Sequence, residues 1–415
     1  MTTYPDARFA VVSDLHYHDA SLGAQGAAFE RAIRTDRKLL AESEELLDYM
    51  LDDLLASDVQ FLLVCGDLTK DGEAVNHHRV SAKLQTLSAH GIKVIVVPGN
   101  HDVNNFSAAG FSDDEKLRVS NISAWEFRAI YADLCYRDCV MRHAHSLSYV
   151  SEPVPGLWVL ALDPCRYGEN TPGNTLTGGR ISAGTEAWML DVLSEAARRD
   201  KAVIAVMHHG IVEHWDGQAT VHPDYLVEDF ARLGGLLAAH GVRLAFTGHN
   251  HAQSIVQAGF GDDFLYDIGT GSLVTYPCPV RYCELSLGEL MVNTTAIADE
   301  VRPETDFADA ARDMVKRNIA REVADSLRGY FVSGSDAQYI ANAVGEAFAA
   351  HYRGDAAHSY RPAFDPSRLG LLGKFVYATQ KQTIDALWES SPFGDNFTVL
   401  DFERAAVSEG AFAHV

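Results

Sequence analysis

The chain has 415 residues, of which 47% are hydrophobic and 22% charged, and its net charge is −23. This length exceeds what one hydrophobic core usually organises, so we expect two domains. The acidic balance disfavours nucleic-acid binding, which requires Lys and Arg to neutralise phosphates. No apolar stretch approaches the ~20 residues that cross a bilayer, and the N-terminus lacks the pattern of a signal peptide. We therefore predict a cytoplasmic protein with no membrane partner.

Short apolar runs alternate with amphipathic patterns along the first 300 residues, which is typical of α/β proteins. The runs are rich in Val, Ile, Leu and Phe, as expected for strands that are covered on both faces. The predicted strands are residues 8–13, 60–65, 93–97, 157–162, 202–207 and 242–247. The predicted helices are residues 36–56, 71–90, 182–199 and 223–240.

After residue 251 the pattern changes to strands without helices. These strands, together with residues 145–150, predict a second, more antiparallel sheet that packs on the first. They are residues 252–258, 264–268, 281–286 and 291–297. The predicted architecture of residues 1–300, the first of the two domains, is an α/β, four-layer αββα sandwich.

Residues 301–415 are predicted to form a small all-α C-terminal domain. Helical spacing of apolar residues covers 305–331 and 336–353, and a third helix runs from 365 to about 389, where Asp365-Pro366 is a good helix start. We expect this domain to be a structural or dimerising appendage that supports a homo-oligomer. The alternative is a lid that shapes the substrate pocket.

The six cysteines show no CxxC pairing. Cys135 and Cys139 could be taken for a metal pair, but no second pair accompanies them. We predict reduced thiols.

Polar motifs with metal-binding side chains follow the predicted strands. In chain order these motifs are Asp14-x-His16, Gly66-Asp67, Gly99-Asn100-His101-Asp102, His208 and Gly248-His249-Asn250-His251. The carboxyl ends of parallel strands meet at one rim of a sheet, and positions i and i+2 of an extended chain share a face. Each motif alone could be a turn cap or a hydrogen-bonded histidine, but their joint order indicates a metal site.

The donor set combines carboxylate, amide and imidazole groups without thiolate. This chemistry suits transition metals such as Mn, Fe, Zn, Co or Ni rather than a structural zinc or a calcium cage. Two such ions can clamp a phosphate ester and lower the pKa of bound water, which supplies hydroxide for hydrolysis. The motifs therefore predict a hydrolase with two metal ions (Mn, Fe or Zn).

The motif set resembles the calcineurin-like metallophosphoesterases over residues 8 to about 298. The resemblance implies that one metal is bound by Asp14, His16 and His251, a second by Asn100, His208 and His249, and that Asp67 bridges them. It also implies that His101 contacts the phosphate and protonates the leaving alkoxide, while Asp102 orients His101 or braces the loop. We prefer His208 to His209 because it directly follows the apolar strand.

Residues 66–73 (GDLTKDGE) resemble the branch of this family that hydrolyses cyclic nucleotides and glycerophosphodiesters. A more diffuse similarity links the chain to bacterial class III 3′,5′-cyclic-nucleotide phosphodiesterases that carry a helical C-terminal domain. We predict hydrolysis of a small phosphodiester by attack of metal-bound hydroxide. Lys70 is the only basic residue adjacent to a motif, which weakly favours diesters over monoester dianions. The alternatives are a nuclease, a nucleotidase, a phosphomonoesterase or a non-catalytic scaffold.

Several other residues near the motifs have two possible roles. We expect His77 and His78 to face solvent or pack against helices rather than contact substrate. The loop with His214 and Trp215 either lines the pocket or packs as part of the core or a lid. The basic and aromatic residues that flank loop 168–179 either reach the rim of the site or lie away from it; they are Arg166, Tyr167 and Arg180.

Overall fold

The computed structural model describes residues 3–402, which contain fifteen strands and ten α-helices. The strands are β1 (Ala7–Val12), β2 (Phe61–Val64), β3 (Lys93–Val96), β4 (Ala109–Phe111), β5 (Lys116–Arg118), β6 (Met141–Arg142), β7 (Tyr149–Val154), β8 (Leu157–Ala161), β9 (Ala202–Val206), β10 (Leu244–Thr247), β11 (Ser254–Phe260), β12 (Asp263–Gly269), β13 (Pro279–Ser286), β14 (Glu289–Ala296) and β15 (Phe397–Asp401). The helices are α1 (Ala27–Ile33), α2 (Ser43–Ala56), α3 (Ala74–Ala89), α4 (Ala124–Ile130), α5 (Ala183–Arg198), α6 (Gln218–Val221), α7 (Phe230–Ala239), α8 (Phe307–Gly329), α9 (Gly334–Arg353) and α10 (Leu371–Ala386).

Two mixed sheets form the centre of the protein. The first has the strand order β15-β14-β13-β1-β2-β3, and the second has the order β11-β12-β10-β9-β8-β7-β6. Parallel pairs join β1 to β2 and β2 to β3 in the first sheet, and they join β8, β9, β10 and β12 in the second. The expected strands are therefore present, and each sheet has a parallel centre with antiparallel strands beside it.

The prediction that the late strands form a sheet of their own is wrong. Strands β11 and β12 extend the second sheet, whereas β13 and β14 extend the first. The six predicted parallel strands are likewise divided, with three in each sheet. The physical reason is that a run of apolar residues reports how deeply a strand is buried but not which strand it pairs with.

The hydrophobic core explains the four layers. Inward-facing residues of both sheets meet in one cluster, where the rings of Phe9 and Phe246 contact edge to face at 5.4 Å. Helices α2 and α3 cover the outer face of the first sheet in the same cluster. The outer face of the second sheet, including Trp158, packs against α5 and α7. The predicted αββα sandwich is confirmed.

The C-terminal helical region is also confirmed, but it is not purely helical. After α10 the chain returns to the first sheet, where β15 pairs antiparallel with β14 and Leu400 lies opposite Leu290. Residues of α8 and α9, such as Val315 and Ile340, belong to the same core cluster as β1. The sequence did not predict β15, because five residues of alternating burial after a helix are a weak signal of a strand. The domain boundary at residue 300 and the homo-oligomer stay predictions.

The predicted helix over residues 36–56 begins too early, because α2 starts at Ser43. The carboxylate of Asp36 accepts hydrogen bonds from the backbone N–H groups of Arg37 (2.8 Å) and Lys38 (3.2 Å). Such local bonds compete with helix formation. Residues 36–39 therefore form an irregular segment before a short 3-10 turn at Leu40–Glu42. The predicted helix over 223–240 is similarly shortened to α7.

No helix in residues 3–402 combines the length and apolar character needed to cross a membrane. The six cysteines are free thiols, and none of them belongs to a metal-binding group within the described chain.

Arg281 of β13 joins the two sheets to the C-terminal region. Its side chain is completely buried, and its guanidinium donates to the carbonyl oxygens of Gly269 and Asp395, each at 2.6 Å. It also donates to Thr294 Oγ1 at 3.2 Å. Burial lowers the pKa of Arg281 to about 10, which leaves the group charged at neutral pH.

We expect Arg281→Met to lower the free energy of unfolding by about 3 kcal/mol, because it leaves buried carbonyl groups without donors. Urea unfolding followed by circular dichroism measures the change. The matched control is Arg8→Met, which removes an exposed ion pair with Asp58 and should cost less than about 1 kcal/mol. Equal losses in the two variants would contradict this role of Arg281.

Candidate metal centre

The predicted metal ligands follow strands of both sheets. Asp14, Asp67 and Asn100 come after β1, β2 and β3 of the first sheet. His208 and His249 come after β9 and β10 of the second sheet. The site therefore lies where the carboxyl ends of two parallel strand groups meet, rather than at the rim of one sheet as the sequence suggested.

The backbone at this site is largely left-handed. Five of the predicted ligands have positive φ angles, at Asp14 (52°), His16 (37°), Asp67 (50°), His249 (68°) and His251 (55°). The expectation that an extended chain aims positions i and i+2 at one ion is therefore wrong, although Asp14 and His16 do converge. Non-glycine residues adopt this conformation at an energetic cost, and such strain concentrates at functional sites.

Two glycines allow the loops to approach each other. A Cβ atom on Gly99 would lie 2.1 Å from Asp67 Oδ1, and one on Gly248 would lie 1.9 Å from Ser13 Oγ. Neither separation is possible for real atoms. The glycines of the GNHD and GHNH motifs are therefore required by the close packing behind the ligands.

Asp14, His16 and His251 form the first group of side chains. Asp14 Oδ1 lies 3.2 Å from His251 Nε2 and 3.6 Å from His16 Nε2, and the two imidazole nitrogens are 3.3 Å apart. The other carboxylate oxygen, Oδ2, accepts hydrogen bonds from Ser13 Oγ (2.5 Å) and from the backbone N–H of His249 (3.0 Å). One oxygen of Asp14 is thus held by the loops while the other faces the imidazoles.

Asp67, His208, His249 and Asn100 form the second group. The ligand atoms of Asp67, His208 and His249 lie within 4.8 Å of one another. His208 Nε2 is 3.4 Å from Asp67 Oδ2 and 3.1 Å from Asn100 Oδ1. Asp67 Oδ2 also lies 3.6 Å from His16 Nε2 of the first group. This carboxylate therefore stands between the two groups.

Contacts on the far side of three of the four predicted histidine ligands indicate which imidazole nitrogen faces the site. His208 Nδ1 donates to the carbonyl oxygen of Cys65 at 2.7 Å, and His249 Nε2 lies 3.2 Å from the carbonyl oxygen of Asp224. His251 Nδ1 lies 3.2 Å from Thr275 Oγ1. Partners of this kind orient metal-binding histidines in many proteins. His209 instead lies outside the group and contacts the carbonyl oxygen of Thr177 at 2.7 Å.

The electrostatics of the site favour the ligand-ready forms of Asp67 and His16. Burial would raise the pKa of Asp67, but the imidazoles of His208 and His101 outweigh burial and hold it well below its usual value. Burial lowers the pKa of His16 to about 3, with a further contribution from Lys38, so its ring is neutral. Burial also lowers the pKa of His208, but Asp67 overcomes this effect and raises it to about 9.

The donor set fits a pair of cations. Asp14 Oδ1 is buried and has no hydrogen-bond partner among the described residues, which is costly for a carboxylate oxygen unless a cation binds it. Two carboxylates, neutral imidazoles and one amide oxygen match the ligands of transition-metal ions.

A sequence profile of the calcineurin-like phosphoesterases matches residues 7–253, more than half of the chain. The chain belongs to this family. As a calcineurin-like phosphoesterase it is a metal-dependent phosphoester hydrolase, and the family implies a dinuclear metal centre. No curated protein matches the chain.

Three solved structures match parts of the chain at low sequence identity. A dimetal phosphatase from Danio rerio is 17% identical, with a TM-score of 0.49 over 70% of this chain and 96% of that chain. A purple acid phosphatase from yellow lupin (Lupinus luteus) seeds is 11% identical, with a TM-score of 0.42 over 71% of this chain and 52% of that chain. Phosphopantetheinyl hydrolase from Mycobacterium tuberculosis is 12% identical, with a TM-score of 0.33 over 64% of this chain and 90% of that chain.

In this phosphoesterase, Asp71 rather than Asp102 contacts the side chain of His101. His101 Nδ1 lies 3.0 Å from Asp71 Oδ1, and its Nε2 lies 3.9 Å from Asp67 Oδ2. Burial lowers the pKa of His101, as does Lys38, but Asp67 and Asp71 outweigh both and raise it. Asp71 lies within the GDLTKDGE stretch, but nothing in that pattern indicates that its carboxylate contacts His101. The sequence therefore did not predict it as a site residue.

Asp102 braces the loops beneath the site. Its carboxylate accepts hydrogen bonds from the backbone N–H groups of Leu68 (3.1 Å), Thr69 (3.0 Å) and Gly99 (2.8 Å). It thereby joins the GD loop to the GNHD loop, which is the second of the two roles expected for it. Burial and the charge of Asp67 raise the pKa of Asp102 to about 7.

A cleft of about 380 Å³ opens over the metal-binding side chains. Its far walls come from segments without motifs, namely Arg37 and Lys38 before α2, Tyr225, and Glu322 and Tyr352 of the C-terminal helices. The sequence pattern does not predict these residues as part of a site. Lys38 in particular falls at the start of the predicted helix over 36–56.

The other candidate residues lie mostly outside the cleft. His77 is buried beneath the GNHD loop, where it contacts Tyr131 Oη at 2.9 Å, and His78 is exposed. Trp215 packs against C-terminal alanines, while His214 lies 3.3 Å from Asp267. Arg166 and Arg180 form ion pairs with Glu169, and Tyr167 donates to Asp163. The loop 168–179 reaches the cleft through Thr177.

Proposed function

We propose that the protein is a dinuclear metal-dependent phosphodiesterase that hydrolyses a small phosphodiester, with a 3′,5′-cyclic nucleotide as the first candidate. The observation that supports it most is that Asp67 Oδ2 lies between two groups of metal-binding side chains, 3.6 Å from His16 and 3.4 Å from His208. In this proposal Asp67 holds both metals. Asp14, His16 and His251 complete the first site, and Asn100, His208 and His249 complete the second.

The two ions, as Mn, Fe or Zn, would supply Lewis acidity that neutralises phosphoryl charge and activates water. The protein supplies the proton for the leaving group. His101 donates it from Nε2, the nitrogen that faces the cleft, while Asp71 holds Nδ1 at 3.0 Å and fixes the direction of the ring. Asp102 holds the GD loop against the GNHD loop through its hydrogen bonds to their backbone N–H groups.

The size of the cleft and the net charge of the protein favour a small substrate. Clefts of about 300–1,000 Å³ suit small molecules, and the 380 Å³ cleft falls in this range. The net charge of −23 opposes binding of nucleic acid. The resemblance of residues 66–73 to the cyclic-nucleotide branch supports the choice of a cyclic nucleotide. Within the cell we propose a cytoplasmic location.

A phosphomonoesterase is the second candidate, because the cleft contains more positive charge than the sequence suggested. The preference for diesters relied in part on Lys70 as the basic residue nearest a motif. Lys70 is paired with Asp71, whereas Lys38 and Arg37 line the cleft. Arg37 is paired with Glu322, so Lys38 is the added cation, and it would suit a dianionic monoester as well as a diester.

Turnover with added Mn²⁺ tests both candidates. We expect hydrolysis of bis(p-nitrophenyl) phosphate and of 3′,5′-cyclic AMP, and complete loss of activity in EDTA that Mn²⁺ restores. Faster turnover of 5′-AMP than of cyclic AMP would favour the second candidate. Failure to hydrolyse any of these esters with Mn²⁺, Fe²⁺ or Zn²⁺ would contradict the proposed function.

A further inference from the structure

Helix α8 of the C-terminal region holds residues 34–38, the segment before α2 that contributes Arg37 and Lys38 to the cleft. Asn318 of α8 donates to the carbonyl oxygen of Asp36, and Arg321 donates to that of Arg34 at 2.7 Å. Glu322 of α8 pairs with the guanidinium of Arg37. Three contacts from one helix therefore hold this segment, which lies about 280 residues earlier in the chain.

Arg37 and Lys38 have different surroundings in the cleft. The guanidinium of Arg37 is engaged, since it pairs with Glu322 and donates to Tyr352 Oη at 3.3 Å. Lys38 is half-buried, and none of residues 3–402 forms an ion pair with its ammonium group. The carboxylate of Asp36 is nearby but binds the backbone N–H groups of the segment. Lys38 is thus the cation that is available to a ligand.

Lys38 lines the same cavity as Asp67, Asn100 and His101. A cation so placed next to a metal-binding floor is suited to a phosphoryl oxygen.

We propose that Lys38 binds the phosphate group of the substrate and that helix α8 positions it through the 34–38 segment. The inference deepens the proposed function and rests on it, since it assumes that the cleft accepts a phosphate ester. It also assigns the C-terminal region a part in substrate binding, which is the less favoured of the two roles that the sequence predicts for it.

Inorganic phosphate serves as the probe for Lys38. Isothermal titration calorimetry on the Mn²⁺-loaded full-length protein should show that Lys38→Met weakens phosphate binding by about tenfold or more, as expected for loss of a charged contact. Lys38→Arg should retain most of the affinity. Lys374→Met, which removes an exposed lysine of α10, is the matched control and should bind like the unchanged protein. Elemental analysis should find the same metal content in all four proteins.

The positioning role of α8 is tested by coupling. Asn318→Ala should weaken phosphate binding when Lys38 is present. In the Lys38→Met background the same substitution should cause little further loss of affinity, because residue 38 then has no ammonium group to position. With a phosphate ester as substrate, both variants should raise KM more than they lower kcat. Equal effects of Asn318→Ala in both backgrounds would show that α8 does not position Lys38.

Unchanged phosphate affinity in Lys38→Met, with metals bound, would overturn the proposal. The outcome is independent of turnover. If no ester is hydrolysed but phosphate binding still depends on Lys38, the proposed function fails and the binding role stands. If esters are hydrolysed and Lys38→Met binds phosphate normally, the proposed function stands and the binding role of Lys38 fails.

Discussion

Asp67→Asn is expected to abolish turnover and to leave the purified protein with fewer than two metal ions per chain. Asp67 Oδ2 lies 3.6 Å from His16 Nε2 and 3.4 Å from His208 Nε2, and the amide nitrogen that would replace it in Asn has no lone pair to offer a cation. The backbone contact should survive, because Asp67 Oδ1 accepts from the N–H of His101 at 2.9 Å and the amide oxygen of Asn can do the same. We expect activity to fall by roughly a thousandfold or more. Elemental analysis and turnover of bis(p-nitrophenyl) phosphate measure the two effects.

The matched control for this variant is Asp267→Asn. Asp267 is equally buried but lies away from the ligand groups, where it accepts hydrogen bonds from Ile211 N (2.8 Å) and Thr247 Oγ1 (2.6 Å). Its loss should reduce stability while both metals stay bound. A full complement of metals in Asp67→Asn, or equal metal loss in both variants, would exclude Asp67 as the bridging ligand.

His101→Ala is expected to lower kcat by about 10²- to 10⁴-fold without loss of metals, as is typical when a general acid is removed. The size of the loss should depend on the leaving group. Bis(p-nitrophenyl) phosphate releases a stable phenolate that needs little protonation, whereas diphenyl phosphate and cyclic AMP release poorer leaving groups that need a proton. The measurement is kcat across these diesters, together with metal content.

Asp71→Asn provides a graded comparison for His101→Ala. It keeps the imidazole but weakens the contact at Nδ1, so we expect a smaller loss of about 10- to 100-fold with the same dependence on the leaving group. If His101→Ala slowed all diesters equally, His101 would act by some means other than protonating the leaving group.

The clustering of the candidate metal ligands could be predicted from the sequence because its signals are local. Asp14, Asp67 and His208 directly follow apolar runs, and the ends of strands are where α/β proteins assemble sites. The structure brings all seven predicted side chains together. The stated geometry was less accurate, since Asp14 and His16 converge through left-handed backbone angles and not through an extended chain. Such angles are imposed by surrounding loops, which the sequence does not reveal.

The walls of the cleft could not be predicted, because they depend on distant contacts. Residues 36–38 directly precede the helical apolar spacing of residues 39–56 and were predicted as its first turn, but Asp36 and α8 hold them in an irregular form. The partition of late strands between two sheets was missed for the same reason. Pairing partners are chosen by the tertiary structure, whereas periodicity reports only which face is buried.

The position of β15 has a consequence for how the protein is made. This strand completes the outer edge of the first sheet beside β14, and it is synthesised after all of α8, α9 and α10. While the ribosome makes those helices, β14 has an open backbone edge that can pair with another chain. Until Asp395 has been synthesised, the guanidinium of Arg281 also lacks one of its carbonyl acceptors. Premature termination within the helical region would therefore release an aggregation-prone protein rather than a shortened enzyme.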